Sequence, residues 1–510
     1  MSADLPKENL TKSTLSGFAW QYTSFFTEAV LQLIVLAILA RLLSPEDFGI
    51  LGIAMVVVGF AALFSELGVG PALIQRSELT SIHIRVGFTL SILLSLILTL
   101  ILMAVSPWVA ELLRNDHITS VFSVISLNFL FSGFGVVAES LLIRNLQFRR
   151  LMWARVGSYL FGYALIGVTL AWLGYGVWAL VGATLSQSLL NSVLLLLLKP
   201  HPATPSLARR EMRELLFFGG GFTLARFLNY SANQGDYFVV GRIMGSEALG
   251  VYSRAYQLMM LPAKYFGQVL SGVLFPVMAK LQLEQKQLTK TYLTGIAMIA
   301  LVSAPLGALM VTTAPEIVHV LLGSKWSDTI IPFQILALGV VPRATYKIDD
   351  ALARALGAMY RRSIRDAIYA TAVVLGAVIG LRWGLPGVAI GVLGAVILNY
   401  ILALRMSMKL LNCSWSEIIK ALSPTVYPTV VVAVVSISVR SLLHAYGLPA
   451  WFNLGTTTLM SGLSLIGLYL LRPQFLGFYG TGTLKRLLPS LPLQIFPKTV
   501  SQWLLAKLKY

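Results

Sequence analysis

Apolar runs of about 20 residues follow one another almost to the end of the chain, separated by short polar stretches. A run of that length crosses a bilayer as a helix, because about 20 residues rising about 1.5 Å each match a hydrocarbon core of about 30 Å. The pattern predicts helices over roughly 16–41, 48–72, 84–109, 118–142, 151–173, 177–198, 215–242, 248–275, 291–313, 329–356, 363–383, 386–408, 421–445 and 450–472. The expected fold class is an all-α integral membrane protein with about fourteen transmembrane helices. The first run is too long for the apolar core of a cleaved leader and lacks a small-residue cleavage site, so it is expected to persist as a helix.

One polar punctuation recurs. Arg41 to Ile50 reads RLLSPEDFGI, and Arg242 to Val251 reads RIMGSEALGV, with Arg, Glu and Gly in step. Each copy closes one apolar run and opens the next, which points to a duplicated bundle. The expected organisation is an N-lobe over 1–198 (helices 1–6), a basic, Pro-containing cytoplasmic linker over 199–214 and a C-lobe over 215–408 (helices 7–12). Helices 13 and 14 follow over 409–472, and a basic tail over 473–510. An even number of helices per lobe keeps both copies in one orientation, so the six-helix lobes should be related by a pseudo-two-fold axis along the membrane normal. With both lobes in one chain, a monomer is the simplest assembly.

Composition supports this picture: 57% of the residues are hydrophobic and 12% charged, outside the soluble range. The net charge of +18 could suggest nucleic acid, but its distribution argues otherwise. With a cytoplasmic N-terminus, about 27 Lys and Arg fall on the inner side and about 6 on the outer, a strong positive-inside bias. Both termini are therefore expected in the cytoplasm, and nucleic acid is not an expected partner. The single cysteine, Cys413, excludes an intramolecular disulfide or a cysteine metal cluster. No P-loop, zinc-protease or serine-hydrolase motif is present, and no loop is long enough for a catalytic domain. The chain is expected to be no enzyme, with no catalytic residues, no metal site and no cofactor.

Charges inside the spans carry the candidate chemistry. A charge at mid-membrane costs about 2.5–3.5 kcal/mol on insertion scales, so such residues face a cavity or a partner. Helix 1 aligns Gln21, Ser24, Glu28 and Gln32 on one face, and helix 7 aligns Arg226, Asn229, Asn233 and Asp236. In the register of the repeat, Glu28 corresponds to Asn229 and Gln32 to Asn233. Interhelical hydrogen bonding is the structural alternative to a cavity lining. Helix 10 places Arg343, Lys347, Asp350 and Arg354 on one face, with Asp349 beside them and Pro342 expected to kink the helix. Local Lys347–Asp350 and Asp350–Arg354 pairs that neutralise part of that stripe are the structural alternative to an anion-facing surface. Helix 8 adds Arg254 and Lys264, and Glu66 and Glu139 lie deep in helices 2 and 4. The C-lobe interior is thus expected to be cationic, with Arg226, Arg254, Lys264, Arg343 and Lys347 available to a phosphate-like group. Asn229, Asn233 and Gln32 supply polar lining.

Three matches carry a family resemblance: Ala40 to Ile50, Asn233 to Arg242 followed by Leu249 to Tyr256, and Ile143-Arg144-Asn145-Leu146-Gln147-Phe148-Arg149-Arg150. They resemble the Wzx-type O-antigen and colanic-acid flippases of the multidrug/oligosaccharidyl-lipid/polysaccharide transporter superfamily. The resemblance implies a transporter that moves undecaprenyl-pyrophosphate-linked oligosaccharide from the inner to the outer leaflet of the bacterial inner membrane by alternating access. It implies that the cationic cavity takes the pyrophosphate, and that transport is coupled to H+ or Na+, for which Glu28, Glu66 and Asp236 are the candidates. Membrane lipids and the polysaccharide polymerase machinery are further expected partners. An ion-coupled multidrug extruder of the same superfamily remains open, and so does a membrane polymerase or ligase acting on lipid-linked sugars.

Overall fold

In the computed structural model, the structure describes residues 27–65, 69–76, 78–113, 117–220, 223–477, 479 and 481. All regular elements among them are helical. The chain divides into two units: residues Met1–Ser253 with Leu321–Lys325, and Arg254–Val320 with Trp326–Tyr510.

The first unit opens on α1, a helix over 27–42 among the described residues. Then come α2 (Pro45–Ser65), α3 (Val69–Gln75), α4 (Ser81–Leu113), α5 (His117–Ile125), α6 (Leu127–Arg144) and α7 (Phe148–Tyr159). A π-helical stretch, Leu160–Gly167, joins α7 to α8 (Val168–Trp172), and α9 (Val177–Leu198), α10 (Arg209–Gly220) and α11 (Thr223–Ile243) complete the unit with the start of α12 (Gly245–Lys280). Local chemistry sets the start of α2. The Ser44 hydroxyl donates to Asp47 Oδ2 at 2.7 Å and accepts from the Asp47 amide at 3.2 Å, satisfying a first-turn donor. Between α8 and α9, Gly174 and Gly176 take φ values of 83° and 53°, a reversal other residues rarely adopt.

The repeat copies meet in this unit. A methyl group on Gly49 would run into the carbonyl of Ser246, and one on Gly250 into the carbonyl of Pro45. These are equivalent positions of the two copies, so the contact is reciprocal: Gly49 meets Ser246 as Gly250 meets Pro45. Small residues let helix backbones approach this closely. Further along α2, Tyr230 of α11 donates to the Val56 carbonyl at 2.7 Å, and Ile53, Val56 and Val57 line a small cleft with Tyr237, Phe238 and Gly241.

The second unit contains the rest of α12, then α13 (Gln285–Thr312), α14 (Ala314–Leu321), α15 (Ile330–Ala337), α16 (Val340–Ala355), α17 (Met359–Gly380), α18 (Gly384–Leu411), α19 (Trp415–Leu422), α20 (Val426–Ala445) and α21 (Ala450–Leu471). Its core gathers Met278, Leu288, Ile296, Ile348, Leu404 and Ile418 from five of these helices. The chain reverses at Gly384 (φ 69°), and α17 packs along α18 with Gly376 on Gly391 and Gly380 on Gly387. After α18, Asn412 turns left-handed at φ 51° and Ser414 with Glu417 forms a capping box that starts α19.

Among the described residues, nine segments are long and apolar enough to cross a membrane, or ten if one bent pair counts as a span. One of the nine, Met359–Leu411, has 53 residues and is the α17–α18 hairpin. The bent pair, Ser324–Ala337 with Val340–Ala355, corrects the expectation for helix 10. The helix does not kink at Pro342; it breaks before it, at Leu338 and Gly339, with a 47° change of direction. Pro342 sits in the first turn of α16, where its missing N–H costs no intrahelical bond. Residues 209–214 of the expected linker are the first residues of α10.

Candidate functional site

The break between α15 and α16 opens the most charged interior segment of the second unit. The apolar side of α16 seals it against α13 and α18, and three of its ionisable residues go into the interior with it: Arg343 is 5% exposed, Asp349 0% and Asp350 7%. Each has a different set of partners.

Arg343 donates from Nη1 to the Tyr256 hydroxyl at 2.9 Å and reaches Met260 Sδ at 3.7 Å. Its guanidinium carbon lies 4.8 Å from the centroid of the Tyr256 ring. A guanidinium held on an aromatic face keeps its charge with little rotamer freedom, which suits it to a bidentate phosphate-like ligand. One turn on, half-buried Lys347 lies 4.7 Å from the ring of Tyr346.

The carboxylate of Asp350 does not pair locally with Lys347 or Arg354. Its carboxylate is taken by α17: Arg365 Nη2 at 2.6 Å and Arg362 Nη2 at 3.3 Å. Arg365 also binds Asp366 at 2.8 Å. Arg354 instead donates to the Asp350 carbonyl at 3.3 Å and stacks on Phe275 at 5.1 Å. Helix-to-helix pairing wins because Gly357 (φ 68°) turns the chain and brings α17 back alongside α16. Arg361, Arg362 and Arg365 read as inner-loop charges in the sequence, yet Arg365 is only 4% exposed. Asp349 accepts from Tyr292 of α13 at 2.8 Å and from Ser407 of α18 at 2.5 Å.

The other candidates are dispersed. Asp236 is 1% exposed and accepts from the Tyr252 hydroxyl at 2.8 Å, within the first unit. Glu28 and Gln32 on α1 and Arg254 on α12 are half-buried. Glu66 lies outside the described residues, as do the side chains of Arg226, Asn229, Asn233 and Lys264. Glu139 pairs with Arg155 at 2.7 Å and both remain about a third exposed, a structural pair of modest weight. Sequence reasoning missed Tyr256, Tyr292, Ser407 and Arg365, because each acquires its role from a residue on another helix.

Outside the spans, the linker end of α10 is tied to the first unit. Glu214 binds Arg76 at 2.7 Å, Arg210 at 3.2 Å and His83 Nε2 at 3.4 Å. The His83 hydrogen bond, then Arg210 and Arg76, hold its carboxyl below the usual range against partial burial. Nearby, Arg144 Nη1 donates to the carbonyls of Leu73 and Ile74, both at 3.0 Å, and so closes the C-terminal end of α3. Among the described residues, no cluster of His, Cys, Asp and Glu could hold a metal ion.

The chain as a whole is similar to known proteins. The chain is 26% identical over 417 residues to the teichuronic acid biosynthesis protein TuaB of Bacillus subtilis, covering 78% of this chain and 85% of that one. It is 24% identical over 442 residues to the lipopolysaccharide biosynthesis protein WzxC of Escherichia coli, covering 83% and 88%. It is 25% identical over 443 residues to the succinoglycan biosynthesis transport protein ExoT of Rhizobium meliloti, covering 86% and 88%. In fold it matches the lipid II flippase MurJ in an inward closed conformation, with a TM-score of 0.72 at 14% identity over 92% of this chain and 99% of that one. A model of the polysaccharide biosynthesis protein family matches residues 38–331, more than half of the 510. The chain is a multi-pass membrane protein and belongs to that family.

Proposed function

We propose that this protein is a flippase that carries undecaprenyl-pyrophosphate-linked oligosaccharide from the inner to the outer leaflet of a bacterial inner membrane. Arg343 carries the reading. A guanidinium 5% exposed, held by its hydroxyl contact and stacking on Tyr256 just after a broken span, keeps its charge in a fixed orientation that suits a phosphate-like anion. Lys347 lies one turn on from Arg343 on the same helix face, and Arg226, Arg254 and Lys264 are proposed as further cationic groups for the diphosphate. Asn229, Asn233 and Gln32 would offer hydrogen bonds to the first sugars. Glu28, Glu66 and Asp236 are the proposed ion-coupling residues, with H+ or Na+ as the ion.

The proposed topology has about fourteen spans and both termini in the cytoplasm. The bent pair and the α17–α18 hairpin support it, and α11 and α12 would complete the second lobe despite their polar stripes. The reciprocal Gly49–Gly250 contact supports two lobes descended from one ancestor.

The test is a leaflet assay with labelled lipid-linked oligosaccharide in vesicles containing the purified protein, together with surface-polysaccharide export in a null strain. Arg343→Ala combined with Lys264→Ala should stop both while the protein level stays normal. Full export by the double variant would sink the assignment of the cavity.

A further inference from the structure

A second buried centre lies beside the Arg343 site and has no part in anion binding. Asp349 is fully buried. One of its oxygens, Oδ1, accepts both hydrogen bonds, from Tyr292 at 2.8 Å and from Ser407 at 2.5 Å. The other, Oδ2, is buried with no hydrogen-bond partner. An ionised carboxylate with one bare oxygen in a dry interior is a poor arrangement, whereas a carboxylic acid carrying its proton there is tolerated.

The surroundings agree. Asp349 and the cluster of Asp350, Asp366, Arg362 and Arg365 together hold three carboxylates and two guanidiniums. Lys347 and Arg354 turn their charges onto the rings of Tyr346 and Phe275. The other ionisable groups facing Asp349 are Tyr292 on α13, Asp350 on α16, Arg365 on α17, Tyr400 on α18 and Cys413 after it. Arg365 engages its acids through Nη2 alone, and its Nε and Nη1 are buried without a hydrogen-bond partner. It therefore has donors in reserve.

We infer that Asp349 is a proton-binding site of this protein, its proton on Oδ2 in the conformation seen and exchanged for a hydrogen bond from Arg365 in another. On release, the Oδ2–H bond breaks, the proton leaves to water, and the new carboxylate takes the spare guanidinium donors. Arg365 then loosens from Asp350, and the α16–α17 hairpin that positions Arg343 is rearranged. Only this last link, from proton to cargo, rests on the flippase reading. A sodium site is less suited, because both hydroxyls point their hydrogens at Oδ1 and leave Oδ2 as the one bare carboxylate oxygen.

Infrared spectroscopy of the full-length protein in lipid nanodiscs, with pH stepped upward, reads the proton directly and needs no cargo. Above about pH 5.5, where exposed carboxylates are ionised, one carboxylic-acid carbonyl band should persist. It should be absent from Asp349→Asn, present in Asp350→Asn and unchanged when sodium is replaced by choline. A band that survives in Asp349→Asn, or one that sodium abolishes, overturns the proposal. Should Asp349→Asn fail to fold, Tyr292→Phe with Ser407→Ala decides. Stripping both donors from Oδ1 must delay loss of the band to higher pH, and an unmoved band again overturns it. If the band behaves as expected while vesicles show no lipid-linked oligosaccharide transfer, the proton site stands and the flippase reading fails.

Discussion

The contact between the repeats in the first unit and the ionic cluster in the second are built on opposite principles. Where α2 meets the start of α12, the contact is backbone on backbone, and the two sides are equivalent positions of the repeat. Where α16 meets α17, the contact consists of charges on one hairpin: Asp350, Asp366, Arg362 and Arg365. The first contact needs only small residues, which duplication copies without change. The second needs particular charges in a low-dielectric interior, and a chain retains those where a function requires them. The proposed duplication accounts for the first contact, and nothing in the repeat supplies the charges of the second.

The largest expected effect breaks the charged side of this comparison. Asp350→Ala removes the carboxylate that Arg365 and Arg362 share and leaves a buried guanidinium facing Asp366 alone. Removing one partner of such a pair costs about 3–5 kcal/mol. Glu139→Ala breaks an ion pair of similar length, 2.7 Å against 2.6 Å for Arg365–Asp350, whose side chains are 33% and 39% exposed. That loss should be about 0–1 kcal/mol. Thermal unfolding of the two purified variants in one detergent should separate them clearly. Equal melting temperatures would mean that the α16–α17 cluster is solvated.

The next effect tests the symmetric side. Gly49→Ala places a methyl group against the Ser246 carbonyl, a backbone atom that cannot rotate away. Overpacking of this kind costs about 1–3 kcal/mol. Gly250→Ala should cost a similar amount, because it meets Pro45 in the equivalent way. The two substitutions share one contact, so the double variant should be less than additive in stability. Full additivity would show that the two glycines do not share one contact.

Much of the helical plan could be read from the sequence, because twenty apolar residues in a row allow few alternatives. The expected helix over 177–198 coincides with α9, and the last one, over 450–472, with α21 to within a residue. The repeat was legible too, but not that its copies touch, since sequence gives register and not proximity. The charged stripe of α16 could be read from the sequence, but the partner of Asp350 could not. Neighbours at three and four residues are the natural first guess on a helix, yet Asp350 pairs with Arg365, fifteen residues on. The available signal was Gly357: acids just before a glycine turn and arginines just after it should meet when the helices fold back. Tyr292 and Ser407 left no such trace, because an isolated hydroxyl in an apolar run looks the same whether or not a carboxylate faces it.

The smallest effect concerns the tie between α10 and the first unit, and its sign follows from Glu214. Three groups, His83, Arg210 and Arg76, favour the ionised carboxylate, so folding lowers its pKa below the ordinary value. A group shifted down in the folded state stabilises it above the unfolded value, about 4.3 for Glu, and loses that contribution as pH falls through the lower folded value. Hydrogen exchange of the amides of α10 should therefore change little from pH 8 to about 5 beyond the intrinsic rate. Below about pH 4 their protection should drop, ahead of α9, which shows no such carboxylate tie. In Glu214→Gln the acid-induced loss should vanish, with weaker protection at every pH. If Glu214→Gln still lost protection below pH 4, some other carboxylate would hold the linker, and α10 would be fastened to its unit by packing rather than by charge.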